Sequence, residues 1–252
     1  MEEQPPLPTF PPPAAQPEPE RFPFWGYADL FLLAGLALPC MFVGWAAVRL
    51  VLWICHLHTP PDAEVAVAET LLGYALIFTA LMVTFRVQYE RPFWRSLGWT
   101  KPPLPFLWNV ICGLGTGLGV AFIAYLINTP PTSGPIVEMM KDRTSLILMA
   151  IFGTTAAPLF EELAFRGFLQ PLLVRTLGAI AGIGLAAALF GALHYWEYGD
   201  SWRSALLVAI AGAAFGCMRH WSGSTRAAAI MHASFNALSF ISLFAQARNQ
   251  FR

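Results

Sequence analysis

From Tyr27 onward the chain falls into long apolar runs separated by short polar breaks, and the runs have the length of bilayer crossings. Tyr27–Cys55, Val65–Phe85 and Phe106–Ile127 each supply about the 20 apolar residues needed to span roughly 30 Å of hydrocarbon. A fourth run starts near Ser145, and a fifth (Leu177–Tyr195), sixth (Ser204–Met218) and seventh (Arg226–Phe244) follow. The pattern predicts an all-α fold, a polytopic transmembrane helix bundle of about seven spans (six to eight). It forms a single transmembrane helical domain over residues 24–252. Several late runs are short or interrupted, and hydropathy alone does not separate a crossing from a segment that returns part-way. Residues 1–23, acidic and rich in proline, read as a disordered tail.

Composition agrees with the pattern. Of 252 residues 56% are hydrophobic and 12% charged, with a mean hydropathy of +0.55, whereas soluble domains carry about 25% charged residues. A formal net charge of zero gives no footprint for nucleic acid. The four cysteines, Cys40, Cys55, Cys112 and Cys217, lie in or at the ends of apolar runs without the spacing of a metal knuckle or redox motif. No basic segment leads directly into a short apolar run with a small-residue cleavage site, so the first span is expected to insert uncleaved. Arg86, Arg91, Arg95 and Lys101 crowd the loop between the second and third spans, which makes that loop and the N-terminus cytoplasmic by the positive-inside tendency. The protein is thus expected in a cell inner or plasma membrane. Trp25 and Trp53 bracket the first span as interfacial aromatics do.

GLGTGLG, Gly113 to Gly119, lacks the Lys-Ser/Thr ending of a phosphate loop and the strand before it. Its pairs Gly113/Gly117 and Gly115/Gly119, with Gly212/Gly216 later, read instead as small residues that let helices approach closely in lipid.

The charged exception is EELAFRG, Glu161 to Gly167, inside the fourth apolar run. An ionised side chain there costs roughly 2.5–3.5 kcal/mol, so it requires a partner or a task. Glu162 and Arg166 are four apart and can pair on one helix face, while the i+4 neighbour of Glu161 is Phe165. Pro158 removes a backbone donor three residues earlier and predicts a kink, with Thr154 and Thr155 placed to satisfy freed carbonyls. Two later motifs put further polar groups in apolar helices: Phe190 and His194 in FGALH, His232 and Asn236 in HASFN, each pair four apart. A carboxylate, two imidazoles and an amide suit hydrolysis. Glu161 would take a proton from water, His194 would help hold that water, and His232 with Asn236 would donate to an oxyanion. No serine or cysteine stands beside a base at comparable spacing. His56, His58 and His220 read as interfacial anchors.

EELAFRG, FGALH and HASFN, in this order, resemble the motifs EExxxR, FxxxH and HxxxN of the CAAX-protease and bacteriocin-processing (Abi) family of intramembrane endopeptidases, which includes the prenyl-protein CAAX endopeptidases. The resemblance covers residues 145–245 and implies an intramembrane peptidase with Glu161 as catalytic glutamate and His194 as its partner on the water. It also implies His232 and Asn236 as oxyanion site and Glu162, Arg166 and Phe190 in support. The implied partners are the bilayer and a peptide or lipidated-protein substrate, with no nucleic acid. Glu161, His194 and His232 are also zinc ligands by type, so a metallo- and a metal-free glutamate mechanism both stand open. The competing reading is a non-proteolytic scaffold or bacteriocin-immunity factor of the same fold; a transporter using Glu161 as a proton relay is a third. If the fourth and fifth runs simply crossed the membrane, His194 and His232 would end at different depths.

Overall fold

The computed structural model describes residues 22–56, 62–131 and 133–247. The expected tail lies outside these residues except for Phe22 and Pro23, and Pro23 is buried. The described residues form helices and no strand: α1 (Tyr27–Ile54), α2 (Asp62–Gln88), α3 (Phe93–Ser96), α4 (Phe106–Leu126), α5 (Pro135–Glu138), α6 (Arg143–Thr154), α7 (Ala156–Glu162), a π-helix (Leu163–Leu169), α8 (Gln170–Leu177), α9 (Ala179–Leu193), α10 (Trp202–Ser222) and α11 (Thr225–Ala247). Six runs are long and apolar enough to cross a membrane: α1, α2, α4, the broken run Arg143–Leu177, α10 and α11. The seventh, α9, has only 15 residues.

Lipid replaces water as the solvent of this fold. Phe31, Leu38, Phe42, Phe122 and Tyr125 stand exposed on α1 and α4, where a soluble protein would carry charge. The largest buried cluster joins Trp25, Phe78, Phe85, Leu97 and Phe168, and α11 packs against α4, α6, α7 and α10. Of the glycines in α4, Gly113 and Gly117 meet that helix. A Cβ at Gly113 would stand 2.7 Å from the Cβ of Ser234, and one at Gly117 2.8 Å from a methyl of Leu238. Gly115 and Gly119 face open space, so only one of the two expected pairs is a packing device. Gly113→Val should therefore lower stability by about 1–3 kcal/mol, while Gly115→Ala changes it little; thermal unfolding in detergent separates the two.

One end of the bundle is closed by polar clasps. Asp29 accepts from Gly26 N (2.9 Å) and from the Tyr89 hydroxyl (2.7 Å), which ties the start of α1 to the end of α2. The turn between α10 and α11 grips the segment after α3: Thr225 N donates to Gly98 O, its hydroxyl to Leu97 O, and Ser224 Oγ to Thr100 O, while Arg219 Nε donates to Thr225 Oγ1. Trp25 belongs to this interior rather than to the headgroup belt. Its indole is fully buried between Phe85 and Phe168 and donates to Phe168 O at 3.1 Å, because a partner for the N–H is available inside the protein.

The helix carrying the charged motif is broken twice. Asp142 caps α6, accepting from the backbone and hydroxyl of Ser145, and these bonds hold its carboxyl below the usual range. The break after α6 falls at Thr155 (φ −128°, ψ −80°), three residues before Pro158. Pro158 then sits in the first turn of α7, where a missing N–H is tolerated. Thr154 and Thr155 donate their hydroxyls back to Ala150 O and Ile151 O, four residues earlier, rather than to Thr154 O, the carbonyl that Pro158 leaves without its helical donor. The second deviation, the π-helix, was not legible in advance. It ends at Leu169, two residues before Pro171, which has no N–H to continue the ladder. Gly167 lies in its wide turn against Leu97, where a Cβ would come within 2.9 Å of Leu97 O.

Candidate active site

Glu162 and Arg166 stay paired across the π-helix start, with Arg166 Nη1 donating to Glu162 Oε1 at 3.0 Å. Both are buried. Arg166 also donates from Nη2 to Gly212 O (2.8 Å) and lies over the Phe190 ring at 4.4 Å. Gln170 repeats the device one turn on, donating to Gly216 O at 2.9 Å. The two bonds advance together along both chains, so α10 runs parallel to the π-helix and α8. A Cβ at Gly212 would meet Arg166 and Phe190 at about 3 Å, so the absence of a side chain there admits the guanidinium.

The depth conflict between the two histidines disappears because the fifth run is not a full crossing. Fifteen residues at 1.5 Å each make α9 about 22 Å long. It turns back at Gly178 (φ 81°) and lies against α8. Glu161 precedes that turn by about as many residues as His194 follows it, so the antiparallel pair returns His194 to the level of Glu161.

There the two histidines converge. His194 Nε2 stands 4.0 Å from Glu161 Oε2, and His232 Nε2 stands 3.9 Å from the same oxygen. Each ring is oriented through its other nitrogen. His194 Nδ1 lies 2.7 Å from Phe190 O, and a carbonyl only accepts, so Nδ1 holds a hydrogen. His232 Nδ1 lies 2.9 Å from Glu162 Oε1, which already accepts from Arg166 and so acts as a carboxylate; this Nδ1 also holds a hydrogen. Both Nε2 atoms are thereby left to face Glu161. Rings hold the imidazoles in place: Phe215 stacks on His232 (4.6 Å, 20°), and Phe190 lies 4.6 Å from His194 and 5.9 Å from His232. Among the described residues Glu161 has no Lys or Arg partner, and it keeps a side-chain exposure of 19%, whereas Glu162 has none. Glu162 Oε2, enclosed, has no hydrogen-bond partner, and buried acceptors of this kind usually hold an internal water.

Asn236 lies one turn beyond His232 and donates from Nδ2 to Gly153 O at 2.7 Å. That carbonyl is one the break at Thr155 leaves without its helical donor. Asn236 thus secures the kink and keeps one amide hydrogen for other use.

Three site residues lie outside the motifs. Glu197, in the loop after α9, brings Oε2 to 3.8 Å from His194 Nε2. Tyr198 places its ring 6.3 Å from that imidazole. Burial, then the charges of Glu197 and Glu161, push its phenol above the usual range. Tyr74 of α2 packs on Phe160 and lies in electrostatic range of Glu161 and Glu197. The i+3 spacing of Glu197 from His194 was the one available signal; nothing in the apolar pattern of α2 marks Tyr74.

The donor set matches zinc by type but not by spacing. A tetrahedral zinc site with bonds of about 2.0–2.1 Å has ligand–ligand edges of roughly 3.3–3.4 Å, shorter than the 3.9 and 4.0 Å found here. Among the described residues no group of three His, Cys, Asp or Glu is disposed to hold a metal ion.

Residues 143–238 match the family model described as Type II CAAX prenyl endopeptidase Rce1-like. The match spans α6 to the first half of α11 and contains Glu161, Glu162, Arg166, His194, His232 and Asn236; it places this segment, less than half of the chain, with a family of membrane peptidases. No significant match is found among curated proteins or among solved structures.

Proposed function

We propose that the protein is an intramembrane endopeptidase that hydrolyses a peptide bond of a membrane-associated protein or peptide, with a prenylated CAAX-type tail as the leading substrate class. The observation that carries this reading is the convergence of two oriented imidazoles on one partly exposed carboxylate inside an apolar bundle. Glu161 takes a proton from water as the water oxygen bonds to the scissile carbonyl carbon. The oxyanion so formed faces His232 and the spare amide hydrogen of Asn236. His232 can donate there only when it carries protons on both nitrogens, a state whose charge the developing oxyanion itself offsets. Glu161 passes its proton through His194 to the amine nitrogen, the C–N bond breaks, and a carboxylate and an amine leave. No covalent intermediate arises, and no step uses a metal.

Arg86, Arg91, Arg95, Lys101, Arg175, Arg219 and Arg226 lie at the clasped end of the bundle, which supports placing that end and the N-terminus on the cytoplasmic side of a cell inner or plasma membrane.

Purified protein in liposomes should cleave a quenched-fluorescence peptide carrying a farnesylated CAAX-type tail. Reaction in 18O-water should place the heavy oxygen in the new C-terminal carboxyl, read by mass spectrometry. Activity should survive 1,10-phenanthroline. Loss on chelation, restored by zinc, would replace the metal-free mechanism; absence of any cleavage across prenylated and unmodified peptides would remove the protease reading.

A further inference from the structure

The geometry points to Glu197 as a positioning residue that holds His194 between two carboxylates, an inference resting on the proposed protease mechanism. With Nδ1 of His194 tied to Phe190 O, the imidazole exchanges protons only through Nε2, and that atom has Glu161 Oε2 at 4.0 Å on one side and Glu197 Oε2 at 3.8 Å on the other. The two acids differ in origin. Glu161 comes from α7 within the membrane run, whereas Glu197 comes from the loop that follows α9, with 41% of its side chain exposed.

That loop is fixed. Tyr198 N donates to His194 O and Asp200 N to Tyr195 O, while Ile136 N donates to Glu197 O from α5. Gly134 (φ 90°) and Gly199 (φ 69°) allow the two segments to touch, since a Cβ on Gly134 would stand 2.8 Å from Gly199 Cα. A loop held from both sides keeps the Glu197 carboxylate at the imidazole. Other groups face His194 from every packed element: Glu161 from α7, His232 from α11 and Tyr198 from the loop itself, with Tyr74 of α2 within range of both acids. None of them supplies a second anion on the outer side of the ring.

When Glu161 hands its proton to His194, the imidazole becomes a cation in an apolar setting, and Glu197 offsets that charge until the proton moves on to the leaving amine. Glu197 neither bonds to substrate nor changes protonation in the cycle; it acts through His194.

Two measurements test this. In the peptide assay, Glu197→Gln should lower kcat about tenfold with KM within about twofold, and the acid limb of the kcat/KM profile should move to lower pH by about one unit, since the anion favouring the protonated ring is gone. Independently of turnover, carbethoxylation of His194 by diethyl pyrocarbonate, followed by peptide mass spectrometry between about pH 5 and 8, should begin at lower pH in Glu197→Gln than in wild type. Unchanged carbethoxylation and an unchanged profile would overturn the role of Glu197. A shifted carbethoxylation profile in a protein that cleaves no peptide would keep the Glu197–His194 pair and overturn the protease mechanism instead.

Discussion

Glu161→Ala is expected to abolish cleavage and to leave the protein folded. Among the described residues Glu161 has no Lys or Arg partner and bonds no backbone group, and it stays partly exposed, so little of the fold depends on its charge. Removing a general base that generates the nucleophile costs at least about 10²–10⁴ in rate, which puts the variant below detection in a peptide assay. Its melting temperature in detergent should stay near that of wild type or rise slightly, because an acid in an apolar interior has been removed. A variant that cleaves at wild-type rate would refute the role of Glu161. One that fails to fold would show that the acid is structural.

Arg166→Ala is expected to produce the opposite profile. The guanidinium holds Glu162 at 3.0 Å and the Gly212 carbonyl at 2.8 Å, and it fills the space over the Phe190 ring. Without it Glu162 becomes an uncompensated buried carboxylate, a defect worth about 3–5 kcal/mol. The expected result is loss of folded protein, read as a collapse in detergent-stable yield and melting temperature. Replacing both partners with apolar residues, Glu162→Leu with Arg166→Met, should recover much of that stability. The double variant should still be inactive, because His232 Nδ1 loses the acceptor that orients it. Stability without activity in the double variant distinguishes a pair that serves the histidine from one that only packs helices.

Much of this was legible in the sequence because it obeys fixed spacings. The partnership of Glu162 with Arg166, the common face of Phe190 and His194, and the freedom of Glu161 follow from 3.6 residues per turn. The hydroxyls of Thr154 and Thr155 take the i−4 bonds open to any helical threonine. The illegible features come from tertiary contacts. A π-turn and an α-turn bury the same apolar residues, so hydropathy does not separate them. Gly113 and Gly115 look alike until the position of α11 shows which faces a neighbour. Trp25 precedes a span, as headgroup aromatics do, yet Phe85, a residue distant in sequence, draws it inside. Asn236 reads as an oxyanion donor, but its bond to Gly153 depends on where the neighbouring helix breaks.

The shortness of α9 bears on how a hydrolase in lipid obtains its co-substrate. A helix of about 22 Å falls roughly 8 Å short of the hydrocarbon thickness. Beside it the bilayer has to thin, or the polar loop Tyr195–Ser201 has to draw headgroups and hydration inward. Either adjustment makes a dimple over His194 and Glu197, on the side away from the clasped end. Headgroup water drawn in there would lie beside the carboxylates of Glu161 and Glu197.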